Sequence, residues 1–174
     1  MRKKLLLKPH HFLDILKLYG TGLDNFIPDK KYCHDFYKIG NIILKNPLAI
    51  IQLTTGVDDI CKPCYFLKNN KCIDKMQNDF IYLSKQEWNE VIDERILKKL
   101  DLKEWHEASA VNLCKYAQKK LTRNDIADIW KERPHDETIK RIKYLLIGLD
   151  KYIKKFLLGI RRAPPKKSLI SRLA

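Results

Sequence analysis

Cys61, Cys64 and Cys72 fall within twelve positions of one another in the run DDICKPCYFLKNNKCID (58–74). No other stretch restricts the backbone as much. Two residues separate Cys61 from Cys64, so one tight turn can bring both sulfurs to a single ion, and Pro63 sets a backbone angle of that turn in advance. Cys72 returns after YFLKNNK, where Asn69 and Asn70 are good turn residues. Three thiolates within reach of one point suit Zn²⁺ or an iron–sulfur cluster, both of which take soft sulfur donors. A Cys-x-x-Cys redox pair and three unrelated thiols are the competing readings, and the third cysteine weighs against the redox pair.

The metal reading depends on the thiols being reduced. The N-terminus, MRKKLLLKPHHF, has only three leucines before Lys8 and Pro9, short of the roughly 7–15 apolar residues of a secretory signal. No run approaches the ~18 apolar residues of a membrane span. The expectation is a cytoplasmic protein with no membrane partner, whose five cysteines form no disulfide framework. At 174 residues and 45% hydrophobic content the chain can bury a genuine core, which excludes wholesale disorder. The formal charge of +14 invites a nucleic-acid reading. However, 27 of the 35 basic residues are lysine, the cation less suited to base and phosphate readout, and no aromatic-interleaved basic motif accompanies them. An AT-rich genome yields a Lys-, Ile- and Asn-rich chain without functional demand. Lysines such as Lys98, Lys99, Lys119 and Lys120 read as solvated helix faces.

Periodicity places the elements. KLLLK (4–8) reads as a short strand. PHHFLDILKLYG follows as a helix with Pro9 in its first turn, Gly20 at its end, and Phe12, Leu13, Ile15, Leu16 and Tyr19 inward. HDFYKIGNIILKN is a second helix with Phe36, Ile39, Ile42 and Ile43 at helical spacing. LAIIQLTTG is β-branched, bounded by Pro47 and Gly56, and reads as the strand leading into the cysteine loop. Beyond it everything is helical. Ser84 and Glu87 form a capping box before a stripe of Trp88, Val91, Ile92, Ile96, Leu97 and Leu100. Residues 109–121 and RNDIADIWKER follow, then a long helix with Ile139, Ile142, Leu145, Leu146, Leu149, Ile153 and Phe156 on one side. The fold class is α+β and mostly helical, a small two-stranded α/β platform with a cysteine loop followed by a helical bundle. A metal-binding α/β region spans 1–80, a helical region packed on it in one compact domain spans 81–160, and a basic, mobile tail spans 161–174.

Three thiols leave a four-coordinate site one donor short. Cys33, His34, His10, His11 and Asp14 are the candidates, all at element edges in the first 35 residues. Asp58 and Asp59 read either as acceptors that orient a histidine or as plain turn residues. Cys114, mid-helix on an apolar side, reads as a buried structural thiol.

KPHHFLDIL followed by GVDDICKPC and a third cysteine resembles a family of small bacterial and archaeal proteins, a domain of unknown function suspected of binding iron–sulfur. Its pattern matches Pro9, His10, His11, Asp58, Asp59, Ile60, Cys61, Cys64 and Cys72, over about residues 5–75, with the helices beyond 80 as an extension of longer relatives. Asp14 stands where that pattern has a cysteine. The resemblance implies an iron–sulfur cluster on Cys61, Cys64 and Cys72, with Asp14 or an open position as the fourth ligand; zinc with Cys33 or His34 is the alternative. His10, His11 and Asp14 would then form an adjacent catalytic pocket, with a histidine as general acid or base. The expected partner is a small molecule or a redox protein. The competing function is a zinc-stapled, non-catalytic module that binds nucleic acid or a protein. A helical protein without metal is the third. No Gly-rich phosphate loop or nucleophile elbow supports a nucleotide or hydrolase reading.

Overall fold

The computed structural model describes residues 4–76 and 84–161, the last four by backbone alone. In chain order the elements are β1 (Leu5–Leu7), α1 (Pro9–Gly20), α2 (Phe36–Lys45), β2 (Ile50–Leu53), β3 (Leu67–Lys68), β4 (Lys71–Cys72), α3 (Lys85–Leu100), β5 (Glu107–Ser109), α4 (Ala110–Lys120), α5 (Arg123–Ile129) and α6 (His135–Arg161). The protein is a mostly helical α+β fold. Beyond Arg161 the basic tail lies outside the described residues. No described helix is long and apolar enough to cross a membrane.

β1 and β2 pair in parallel, Leu5 opposite Ile51 and Leu7 opposite Leu53, with α1 and α2 as the crossover that a parallel pair requires. The platform has a third strand that sequence reading omits: β5 pairs antiparallel with the other edge of β2, Ile51 opposite Ala108. Glu-Ala-Ser carries no β-branched residue, and β2 imposes the extended conformation on it by backbone pairing. A separate hairpin joins β3 and β4 through Asn69 and Asn70, both at positive φ (48° and 59°), the conformation of a two-residue turn that asparagine tolerates.

The core contains Leu7, Phe12, Leu16 and Ile51 together with Trp88, Ile96, Cys114, Trp130 and Leu149, so residues from both halves of the chain share it. At the contact of α1 with α6, Gly20 and Gly148 let the two backbones approach so closely that a Cβ on Gly148 would overlap the Leu16 carbonyl. Two positions read as inward face solvent. On α2 the buried side is Ile39, Gly40, Ile43 and Leu44, which leaves Ile42 on the flank. In the first turn of α6, Thr138 takes the buried place instead of Ile139, with its hydroxyl on the Trp130 carbonyl.

Candidate functional site

The first helical turn has amide groups without intrahelical partners. The position before α1 is Lys8, which supplies no capping oxygen. Two carboxylates from elsewhere in the chain fill the gap. Asp93, fully buried on α3, accepts the His10 backbone N–H at 2.8 Å, and the His10 Nδ1 lies 2.9 Å from each of its oxygens. Asp58, also fully buried, accepts the Lys8 N–H at 2.9 Å and the Cys61 N–H at 2.9 Å, and lies 2.7 Å from His11 Nδ1. Asp59 completes the docking, since Leu6 donates to its carboxylate while its own N–H donates to the Leu6 carbonyl. The DDI segment thus covers the side of β1 that β2 leaves free, which brings the cysteine loop to the histidines. Asp58 is an acceptor that orients a histidine.

The result is two adjacent His–Asp pairs, with ring centroids 4.2 Å apart and planes tilted by 54°. A carboxylate only accepts, so Nδ1 carries the proton on both rings and Nε2 is the nitrogen left for a ligand. The environments separate the two. Burial lowers the pKa of His10 below its ordinary value despite Asp93, and the His11 charge lowers it further. Burial also opposes charge on His11, but Asp58 outweighs it and raises the pKa. The two environments push the pKa values of adjacent imidazoles in opposite directions, an arrangement suited to acid–base work.

The sulfurs form the facing wall. Ile60, fully buried, anchors the loop; Cys64 donates its N–H to the Cys61 carbonyl, and the Cys72 N–H donates to Gln86 at the start of α3. The YCH segment (32–34) is tied to this loop by Asp35 N–H to the Ile60 carbonyl and Tyr65 N–H to the Tyr32 carbonyl. Cys61, Cys64, Cys72, His10, His11 and His34 all line one cavity of about 240 Å³. The His34 ring stacks on Tyr32 at 5.4 Å, and its Nδ1 is buried without a hydrogen-bond partner. Burial, with the Asp58 charge beside it, raises the pKa of the Cys61 thiol, and burial also raises that of Cys64.

Two other sequence candidates stand apart. Cys33 is exposed, at φ 53°, with its Sγ directed to the Lys30 carbonyl, and does not line the cavity. Asp14 lines it, but its Oδ1 is held by Arg141 at 2.5 Å and by Lys17 at 3.1 Å. Burial would raise its pKa; the Arg141 guanidinium, and then Lys17, hold it well below the usual carboxylate range. Cys114 is buried in α4 with its thiol against the Leu149 carbonyl. Among the described residues, His11, Asp58 and Cys61 form a group whose ligand atoms lie within 4.8 Å of one another, of the kind that can hold a metal ion. Cys61, Cys64 and Cys72 do not converge that closely.

Sequence reasoning missed Asp93 and the cationic residues of the cavity, Lys85, Arg133 and Arg141. A signal for each exists. Asp93 lies on the buried face of α3 with Trp88, Ile92, Ile96 and Leu100, where an unpaired acid would be costly. Arg133 and Arg141 are two of only eight arginines in a chain that otherwise uses lysine.

Fold and site together define a mostly helical α+β protein with a His/Asp/Cys group of metal-binding type. The chain belongs to the family described as "Protein of unknown function (DUF1284)", whose match covers residues 29–132. That span contains His34, the three cysteines and Asp93, and it starts after His10 and His11. Helices α3, α4 and α5 therefore lie within the family match and are not an extension beyond it. No curated protein and no solved structure matches the chain.

Proposed function

We propose that this is a cytoplasmic metal-binding protein that holds an iron–sulfur cluster through Cys61, Cys64 and Cys72, with His34 as the fourth donor. The observation that carries the reading is the shared cavity wall: three thiols and an orphaned buried imidazole nitrogen. Asp58 already accepts from two backbone N–H groups and lies on His11 Nδ1, which assigns it the orienting role in this reading. Asp14 is neutralised by Arg141, and Cys33 is directed elsewhere. His34 carries a buried ring nitrogen with no hydrogen-bond partner among the described residues, whereas His11 is engaged by Asp58 and keeps its Nε2 for the acid–base role. Three soft thiolate donors on one cavity suit a cluster, and a single zinc ion on the same donors is the alternative.

When bound, the cluster supplies electron transfer or Lewis acidity at an iron. The chain's own residues do the rest. His10 and His11 present Nε2 toward the cavity, one as base and one as acid, and Asp93 and Asp58 fix their tautomers and orientation. The test is purification without oxygen, followed by the absorption spectrum and iron, sulfide and zinc analysis. The expected result is a coloured protein with iron and sulfide, which Cys61→Ser and His34→Ala deplete. One zinc per chain without sulfide refutes the cluster and leaves the zinc-stapled module.

A further inference from the structure

The same cavity is also lined by residues of different chemistry. Arg133 lies over the ring of Trp88 at 5.5 Å, and Arg141 lies over Trp130 at 4.5 Å. Both indoles are buried, so each guanidinium lies over a fixed aromatic ring. Lys85 stands beside them in the first turn of α3 and makes no ion pair among the described residues. Burial and the nearby Arg133 charge both disfavour its ammonium form. Asp14 neutralises Arg141, Glu137 on the same helix lies 3.8 Å from the Arg133 guanidinium, and Asp74 is the other acid lining the cavity.

A second chamber of about 210 Å³ adjoins the first, and the two share Tyr32, Asp74, Lys85 and Arg133. Its remaining lining includes Lys31 and Lys75, so among the described residues it has four cationic side chains and one carboxylate. A lining in which one sign of charge predominates concentrates ligands of the other sign. The first chamber differs in character, adding Phe36, Trp88, Ile92 and the two histidines to the shared lining.

We propose that the paired chambers bind a small organic oxyanion, a carboxylate or a phosphate ester on a compact apolar body. Its charged group sits between Lys85 and Arg133, and its body runs inward along Trp88, Ile92 and Phe36 toward His10 and His11. The inference deepens the metal-site reading and rests on it for the chemistry at the histidine end.

The test is calorimetric titration of the full-length protein at low salt with benzoate, phenyl phosphate and, as an uncharged control, benzyl alcohol. At least one anion binds tenfold or more tightly than the alcohol, and added salt weakens it. The stronger of the two identifies the oxyanion. Lys85→Met, shown by its melting curve to be folded, weakens that anion at least tenfold, and Lys85→Arg restores most of the loss. Equal binding of alcohol and anions overturns the proposal, and so does unchanged affinity in Lys85→Met. Metal and sulfide are measured in the same samples, which separates the two readings. A cluster with no anion binding refutes this inference alone, and anion binding without a cluster refutes the metal reading alone.

Discussion

Asp93→Ala is the sharpest structural perturbation available. Asp93 is fully buried, and its carboxylate serves two donors from one residue, the His10 backbone N–H at 2.8 Å and His10 Nδ1 at 2.9 Å. Hydrogen bonds to a charged acceptor contribute about 1.5–3 kcal/mol each. The two share one acceptor group, and truncation strands a helix-terminal amide in the interior, so the expected loss is about 4 kcal/mol. That is a large fraction of the roughly 5–15 kcal/mol available to a domain. Urea unfolding followed by tryptophan fluorescence measures it, because Trp88 lies on the same helix face. A fall in the midpoint at constant slope is the expected signature. Asp93→Asn separates shape from charge. Its amide oxygen still accepts the backbone N–H, but its NH₂ faces Nδ1, so His10 moves its proton to Nε2 at a cost of about 1–2 kcal/mol. The ¹⁵N shifts of the ring report the tautomer. A variant Asp93→Ala as stable as the parent refutes the reasoning: burying the carboxylate would then cost as much as its bonds return.

Three further outcomes follow from the same structure. Asp14→Asn lowers the melting temperature at pH 7 through loss of about 1 kcal/mol, since the pair with Arg141 is partly exposed and screened. The folded pKa of Asp14 is depressed, so its contribution is present above the unfolded value near ~3.9 and fades as pH falls toward the folded one; the difference between variant and parent shrinks below about pH 4. Gly148→Ala forces a methyl group into the Leu16 carbonyl and costs about 3 kcal/mol by denaturant unfolding, with loss of the α1–α6 contact. Asn70 holds φ 59° in the hairpin that carries Cys72, so Asn70→Ala costs about 1 kcal/mol while Asn70→Gly costs nothing measurable by thermal melting.

The sequence by itself determined the elements whose signals are local. α1 and its Pro9 start, the capping box of α3 at Ser84 and Glu87 and the Asn69–Asn70 turn all rest on periodicity or on residues a few positions apart. The same kind of signal brought out His10, His11, His34 and the three cysteines, because these donor types are sparse and cluster within short segments. Tertiary structure decided which of them meet and what surrounds them. β5 exists because β2 has a free edge, and its own three residues carry no strand signal. Asp93 reaches His10 across 83 positions, a distance that the packing of α3 against α1 closes and no local pattern encodes. Cys33, one residue from His34, is removed from the site by a single left-handed backbone angle. Asp14, which local pattern offered as a ligand, is claimed by an arginine 127 residues away. Local pattern sets which groups a chain can offer, and only the packed helices set the distances at which those groups neutralise, orient or expose one another.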